Sequence, residues 1–331
     1  MENFNSKNIH LVSYGIPGSL DFEIPKKISK ITGVKHELIN LSPDKFEWSY
    51  DLLYNFAIKK NKAIVIFESY INNYIPLIFG KDFVYWSGFM GDPISGSHLP
   101  EKINLSYEES VNLFIKNNNY SKIKNKEIFF DIKKELPSEP LLSNNILTYY
   151  EQLDFIIRQN GYLRRAIFNE DFIYKTPFLQ PRLVSFFLNL PYVYRKGQTL
   201  YKDILKKMYP RLFSIKTKTN FNTSLFDSSL CFYYGKNKIR TINFLNNFFK
   251  KNIFIPPMLN YSNFDEDLRN DNNLSNIVFR NINDLEKRKI VNFIDTNILW
   301  KNHQQRKESL SSLLMLLASL EINIKAGNIK L

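Results

Sequence analysis

Cysteine is nearly absent from this sequence. Among its 331 residues there is one, Cys231. A single cysteine excludes both an intrachain disulfide and a zinc site built from cysteine ligands. We therefore expect a protein of the reducing cytoplasm.

Long apolar runs are also lacking. The first residues contain no apolar stretch of the kind that a signal peptide requires. The most apolar segment near the C-terminus, Leu310 to Leu320, has about half of the ~20 residues that cross a bilayer. Its leucines recur at helical spacing, which predicts an amphipathic helix packed on the core or on a partner. No membrane partner is expected.

Histidine is scarce, and its four positions do not resemble a metal site. The histidines are His10, His36, His98 and His303, and no pair has a spacing such as His-x-x-x-His. This pattern argues against a metal hydrolase. His36 precedes an alternating strand and is interpreted as a core histidine. His98, close to Asp92 in sequence, is the only histidine that we single out as a candidate functional residue.

Acidic residues are fewer than basic ones, and the formal net charge is +13. Such a charge is compatible with nucleic acid, an anionic membrane surface or nucleotide phosphates as partner, or with basic residues scattered over solvated faces. The second interpretation is favoured because no predicted helix carries a dense basic stripe. An RNA-binding module would need a continuous basic surface with exposed aromatic residues. The Phe and Tyr residues here mostly lie at core-like spacing, so nucleic acid is not the expected partner.

The first third of the chain alternates between strand and helix patterns. The predicted strands are His10 to Tyr14, His36 to Leu41 and Phe83 to Trp86. The predicted helices are Leu20 to Thr32, Phe46 to Ile58 and Ala63 to Phe79, the last kinked near Pro76. This alternation predicts an α/β fold with a parallel, doubly wound sheet.

Beyond residue 101 the pattern becomes helical. Helices are predicted over Leu147 to Phe168, over 183–190 and over 200–209. We divide the chain into an incomplete nucleotide-binding α/β part at 1–120, a connecting segment at 121–145, a helical part at 146–230 and a mainly helical extension at 231–331.

A glycine-rich loop with one acid follows the third predicted strand. It reads Ser-Gly-Phe-Met-Gly-Asp-Pro-Ile-Ser-Gly-Ser-His from Ser87 to His98. In parallel α/β sheets, ligands lie beyond the carboxyl ends of the strands, where backbone amides approach phosphate and a carboxylate holds magnesium. Glycine and aspartate also dominate ordinary turns, so the loop alone is weak evidence.

Four segments along the chain, the loop among them, together support a functional interpretation. They are Gly15 to Asp21, the loop Ser87 to His98, Thr176 to Gln180, and Lys216 to Phe221. Together they resemble the synthetase domain of the glutamine-hydrolysing asparagine synthetase family, whose members are ATP-pyrophosphatase (PP-loop) amide ligases. The resemblance covers about 10–225. It implies a Rossmann-like sheet of the HUP (adenine nucleotide α-hydrolase) type, followed by a mainly helical C-terminal half.

The resemblance also implies roles for individual residues, with ATP and Mg²⁺ as cofactors. Catalysis would fall to Lys218 facing the phosphates, Lys216 as an auxiliary cation, and Asp92, which would also be the magnesium ligand. Nucleotide binding would fall to Tyr14, Gly15, Ser87, Gly88, Gly91 and Arg165. Without the resemblance, Lys216 and Lys218 would be interpreted as a solvated pair on one face of a strand.

This sequence departs from the family's pattern at several acids. Phe89 and Pro93 replace the two glutamates of the loop, Ile173 replaces another, and Gln180 replaces an aspartate. A phenyl ring can neither bind a cation nor move a proton, so much of the acid chemistry is lost. The Ser-Gly-Gly-x-Asp-Ser loop that cradles pyrophosphate is missing, as are the first strand and the glutaminase domain.

Three accounts remain open, in this order of preference. The chain is the downstream piece of a truncated or split ligase, which activates a small carboxylate with ATP and amidates it with glutamine-derived ammonia. An upstream polypeptide or a glutaminase domain would then supply the first strand and the PP-loop. Alternatively, it is a degenerate pseudoenzyme or a binding scaffold. As a third account, it shares the fold alone and runs a different reaction.

Overall fold

The structure is a computed structural model that describes residues 8–119, 132–145, 147–249 and 253–329. Its secondary structure is α/β and mostly helical. The chain divides into two compact units. The first contains the residues up to Ser49, Lys202–Val278 and Ile298–Ser311, and the second contains Tyr50–Tyr201, Phe279–Asn297 and the residues from Ser312 onward.

The first unit contains a two-stranded parallel sheet joined by a helix. Strand β1, Leu11–Gly15, pairs with β2, His36–Asn40, in a register that sets Tyr14 opposite Ile39. Helix α1, Leu20–Thr32, has the predicted bounds and runs through Pro25. It ends at Gly33, whose left-handed backbone (φ 68°) lets its N–H bond to the Ser29 carbonyl.

The second unit contains a separate two-stranded sheet. Strand β3, Val84–Trp86, pairs in parallel with β4, Ile173–Lys175. We predicted one doubly wound sheet, but the described residues form these two small parallel sheets. Three-residue strands give each face of the second sheet too little area to hold a helix layer, and Val84, Trp86 and Ile173 are exposed.

Most of the remaining chain is helical. The helices before β4 are α2 (Tyr50–Lys60), α3 (Ile66–Phe79), α4 (Gly91–Ser95), α5 (Tyr107–Asn118), α6 (Tyr149–Leu153) and α7 (Arg164–Ile167), with a π-helical segment at Asp154–Leu163. Those after it are α8 (Pro181–Leu188), α9 (Tyr192–Arg195), α10 (Thr199–Met208), α11 (Pro210–Phe213), α12 (Ser229–Phe248), α13 (Phe264–Asn270), α14 (Asn272–Lys287), α15 (Thr296–Gln304) and α16 (Ser311–Ala326). Short 3₁₀ turns lie at Ile132–Glu135, Pro177–Leu179 and Lys196–Gln198.

Two predicted helices differ from expectation in instructive ways. The helix predicted at Phe46 begins at Tyr50, because the preceding residues form a turn in which Phe46 and Trp48 pack edge to face. The helix predicted over Leu310–Leu320 continues to Ala326 and is largely buried, so core packing accounts for its apolar residues. The predicted connecting segment lies partly outside the described residues.

Within the described ranges, no helix combines the length and the apolar composition that a membrane crossing requires.

Candidate functional site

The turn that follows β1 is fixed by its own side chains. Gly18 has a positive φ (88°), and its N–H donates to the Glu23 carboxylate at 3.2 Å. Ser19 Oγ donates to the Ile16 carbonyl at 2.8 Å. The chain therefore leaves the carboxyl end of the strand in one defined direction and enters α1.

Lys218 reaches the first turn of α1 from a distant part of the sequence. Its ammonium donates to Asp21 Oδ2 at 2.6 Å, to the Leu259 carbonyl at 2.8 Å and to Asn260 Oδ1 at 2.5 Å. An ammonium has three N–H groups, and all three are used here. Lys218 thus joins α1 to the segment before α13.

The backbone around Lys218 is a turn and not the strand predicted from the sequence alone. Thr217 and Thr223 form an isolated antiparallel bridge, and Phe221 and Asn222 have positive φ values of 53° and 62°. Lys216 is exposed, and its side chain has no hydrogen bond or ion pair within the described part of the chain. The two lysines therefore have different surroundings.

Tyr14 lies at the end of β1 beside Gly15. Its ring packs on that of Tyr261, with the centroids 5.6 Å apart. Burial, together with the nearby Tyr261 and Asp21, raises the pKa of the Tyr14 phenol far above its usual value. Tyr14 is therefore a neutral packing group over the whole physiological pH range.

In the second unit, the residues predicted to seat the nucleoside follow β3 directly. Ser87 N–H donates to the Lys175 carbonyl at 2.9 Å, and Ser87 Oγ accepts the N–H of Phe89 at 3.2 Å. Gly91 N–H closes the turn on the Gly88 carbonyl at 2.9 Å. Ser87, Gly88 and Gly91 therefore share one tight turn at the carboxyl end of the strand.

Asp92 is the second residue of the short helix α4 and is exposed. The Gln198 amide donates to Asp92 Oδ1 at 3.1 Å and to Ser95 Oγ at 2.7 Å. Asp92 Oδ2 has no hydrogen-bond partner among the residues that the structure describes. Across the whole described part of the chain there is no cluster of three His, Cys, Asp or Glu side chains able to hold a metal ion.

The two residues that replace the loop acids have packing roles. The Phe89 ring contacts the Phe168 ring edge to face, with centroids 5.2 Å apart. Pro93 is buried within α4. The loop thus keeps its shape through apolar contacts at the positions where the resembled family has carboxylates.

A buried ion pair holds the far end of the loop. Arg195 and Glu151 form a hydrogen-bonded pair, and both side chains are almost fully buried. Gly96 packs so closely on Arg195 that a Cβ there would lie 2.2 Å from the Arg195 carbonyl oxygen. Glycine is therefore required where α4 ends.

The arginine that lines the cleft beside Phe89 and Met90 is Arg164. This cleft has a volume of about 470 Å³, and Arg164 Nη1 donates to Asn160 Oδ1 at 3.0 Å. Arg165, the predicted nucleotide ligand, is exposed, and its carbonyl oxygen is near the buried Lys60 ammonium.

A second cleft in this unit contains the histidine that the sequence singled out. His98 Nδ1 lies 2.9 Å from Oδ2 of the buried Asp154, and Gln159 Nε2 lies 3.3 Å from both carboxylate oxygens. Arg158 Nη1 is 3.5 Å from Asp154 Oδ1, and the cleft volume is about 590 Å³. The Asp154 carboxylate only accepts hydrogen bonds, so this contact is made by a ring whose Nδ1 carries a proton, and Arg158 Nη1 lies 3.4 Å from the same nitrogen.

Sequence reasoning considered His98 with Asp92, but its carboxylate partner is Asp154. His98 and Asp154 are 56 residues apart, and the sequence signal for Asp154 is an acid directly beside the apolar residues Leu153, Phe155, Ile156 and Ile157. Such an acid has to find a partner when it is buried.

Searches against family models, curated proteins and solved structures find no match to this chain.

Proposed function

We propose that this chain is the synthetase part of an ATP-dependent amide ligase, which activates a small carboxylate and joins it to ammonia. One observation carries the proposal. Lys218, the lysine that the resemblance assigns to the phosphates, contacts Asp21 in the first turn of α1, 197 residues earlier and close to the carboxyl end of β1. The carboxyl end of a parallel strand is where α/β folds bind ligands.

In this proposal the residues of the first unit act on the nucleotide. The backbone at Tyr14 and Gly15 would lie beside the adenine. A carboxylate oxygen of the substrate attacks the α-phosphorus of ATP, and the bond from that phosphorus to pyrophosphate breaks. Lys218 offsets the charge that collects on the departing phosphates, and Lys216 adds a nearby exposed cation. Ammonia then attacks the acyl carbon, a C–N bond forms, and AMP leaves.

The resemblance assigns a magnesium ion to Asp92, and the exposed carboxylate suits this role. Mg²⁺ is commonly held by one or two carboxylates together with phosphates and water, and Asp92 is exposed with one oxygen unpartnered among the described residues. When bound, the ion would neutralise phosphate charge. Ser87, Gly88 and Gly91 supply the turn on which Asp92 is presented, and Arg165 provides an exposed cation in the same unit.

The contacts of Lys218 predict a resting state with low affinity. Because its three N–H groups already have acceptors, an incoming phosphate oxygen has to replace one of them. Asp21 is the charged competitor and is partly exposed. Asp21→Asn keeps the shape of the side chain and removes its charge, so calorimetry should show ATP·Mg²⁺ binding that is about 5-fold tighter, or roughly 1 kcal/mol.

The first sheet offers a place for the upstream polypeptide that the sequence leads us to expect. In the described residues β1 pairs only with β2, so its other edge has no strand beside it. An unpaired edge is a ready template for another strand. We propose that an upstream polypeptide adds its strand and PP-loop there, and that a glutaminase domain supplies ammonia.

The decisive assay is ATP–pyrophosphate exchange with Mg²⁺ and a panel of small carboxylates. It is run on the chain alone and on the chain mixed with the polypeptide encoded immediately upstream. Carboxylate-dependent exchange in the mixture is expected, and Lys218→Met should lower its rate about 100-fold or more. Lys207→Met, an exposed lysine on α10, is the matched control. Absence of exchange with every carboxylate, from folded components, would refute the ligase.

A second candidate is a nucleotide-binding relative without catalysis. The packing roles of Phe89 and Pro93 favour it, because apolar groups replace two acids at the loop. The same samples separate the two candidates. Calorimetric binding of ATP that weakens in Lys218→Met, with no exchange, would identify the non-catalytic relative.

A further inference from the structure

Helix α12, Ser229–Phe248, exposes large apolar side chains near both of its ends. Sequence spacing placed most aromatic residues in the core, but five large side chains of this helix are 60–79% exposed. They are Leu230, Tyr233, Tyr234, Phe244 and Phe248. Surface apolar residues that occur singly are ordinary, whereas several on one face of one helix mark an interaction surface.

These five residues share one side of the helix. Each residue advances about 100° around the axis, so the five fall within an arc of about 100°. The opposite side is anchored, because Ile239 and Asn246 are buried. The Asn246 side chain makes two hydrogen bonds to the backbone of Phe254, at 2.8 and 3.1 Å. The apolar stripe is therefore held facing outward.

Cations border the stripe on both sides. By the same helical geometry Arg240 lies at one edge and Lys238 at the other, and both are exposed. The helix contains no aspartate or glutamate. The nearest preceding acid, Asp227, lies outside the helix and accepts the N–H of Ser224 at 2.8 Å. The face is thus apolar towards both ends of the helix, with the exposed Asn237 and Thr241 between the two apolar groups, and it is positive at its borders.

The apolar surface continues past the end of the helix. Phe249 is exposed, and its ring contacts that of Phe248 with centroids 5.1 Å apart. Phe254 and Ile255 are also exposed, but Asn246 holds their segment on the opposite side of the helix, so they are not part of the stripe. The patch therefore extends over more than the helix itself.

We propose that α12 is a peripheral membrane-binding helix that lies in the headgroup region of an anionic bilayer. Helices of this kind place aromatic and leucine side chains among the acyl chains and keep lysine and arginine at the phosphate level. The cations on both borders of the stripe fit this arrangement, because each border would face headgroups when the helix lies flat. Negative lipid supplies the charge that the helix lacks.

The test is flotation of the full chain with two kinds of vesicle at low and high salt. One kind contains phosphatidylcholine alone, and the other contains phosphatidylcholine with phosphatidylglycerol. We expect binding to the anionic vesicles that weakens at high salt. Phe244→Ser with Phe248→Ser should lower the partition coefficient about 10-fold or more, because burying one phenyl ring is already worth that factor.

Two further double variants serve as controls, and a third tests the cations at the borders of the stripe. Trp86→Ser with Phe293→Ser removes two exposed aromatic residues from the second unit and should leave vesicle binding unchanged. Lys238→Glu with Arg240→Glu should abolish binding to the anionic vesicles. Lys27→Glu with Lys30→Glu makes the same charge change on α1 and should reduce binding far less. Circular dichroism establishes that each variant is folded.

Several outcomes would overturn the proposal. Equal binding to both kinds of vesicle, or no loss in the Phe244 and Phe248 variant, would show that the stripe does not recognise anionic lipid. Sedimentation velocity without vesicles that shows a dimer lost in that variant would identify the face as a contact between copies. Binding of single-stranded RNA that the variant loses, without vesicle binding, would assign the face to nucleic acid.

Discussion

The most direct test of the packing beside the glycine-rich loop is Gly96→Ala. Gly96 ends α4 with φ 96° and ψ 20°, and an added Cβ would lie 2.2 Å from the Arg195 carbonyl oxygen and 2.6 Å from its carbonyl carbon. The neighbouring atoms are backbone, so rotation of a side chain cannot relieve the overlap. Gly197 is the matched control, because it has a similar backbone (φ 62°, ψ 17°) in the same unit with nothing within 4 Å of its Cβ position.

The expected loss follows from two contributions. A left-handed backbone costs an alanine about 1–2 kcal/mol, which is offset by about 0.4–1 kcal/mol from the stiffer unfolded chain. Gly197→Ala should therefore lower the free energy of unfolding by about 1 kcal/mol. Gly96→Ala adds the overlap with Arg195, which costs a further ~1–3 kcal/mol, for a total of about 2–4 kcal/mol.

Urea unfolding followed by circular dichroism measures both variants against the parent chain. The comparison uses the shift in midpoint multiplied by a shared slope, provided that the slopes agree. Equal losses for the two alanine variants, within about 0.5 kcal/mol, would refute the close contact between Gly96 and Arg195.

Two further predictions concern buried ionisable groups. Burial lowers the pKa of His303 to about 4, and its Nδ1 accepts the N–H of Leu310, so the folded chain holds a neutral ring while the unfolded chain binds a proton near pH 6.5. Stability should therefore fall as the pH drops from 6.5 to 4, by about 2–3 kcal/mol at pH 4.5, and His303→Asn should remove that part of the loss in urea unfolding at pH 7 and 4.5. Glu151→Gln leaves the buried Arg195 charge uncompensated and should cost about 3–5 kcal/mol. Adding Arg195→Met should recover part of that loss, and additive losses in the double-mutant cycle would contradict the pairing.

The parts of the fold that follow from local signals could be predicted from sequence. Helix α1 has the predicted bounds because the turn before it and Gly33 after it are local signals for the start and the end of a helix. Strand β4 was missed, since three residues carry almost no periodicity and pair only with the distant β3. The predicted single sheet failed for the same reason, because pairing between strands is a non-local property.

The candidate site also combines features that the sequence could predict with features that it could not. The resemblance named Lys218, but it could not indicate that Asp21, Leu259 and Asn260 satisfy all three of its N–H groups. Likewise, the pairing of His98 with Asp154 depends on burial, which a sequence pattern reports only indirectly. The residues of a site can be nominated from sequence, whereas their partners require coordinates.

The π-helical segment Asp154–Leu163 makes one part of this chain sensitive to length. Its i to i+5 geometry brings the Gln159 side chain to Asp154, whereas in an α-helix residues five apart point about 140° away from each other. Inserting one residue between them would place them six apart, about 120° away from each other on an α-helix, and would separate Gln159 from the carboxylate, whereas deleting one would place them four apart, where α-helical side chains meet. In an alignment with relatives, a one-residue insertion within 155–158 would therefore mark chains that have lost the support of His98, even where both Asp154 and His98 are retained.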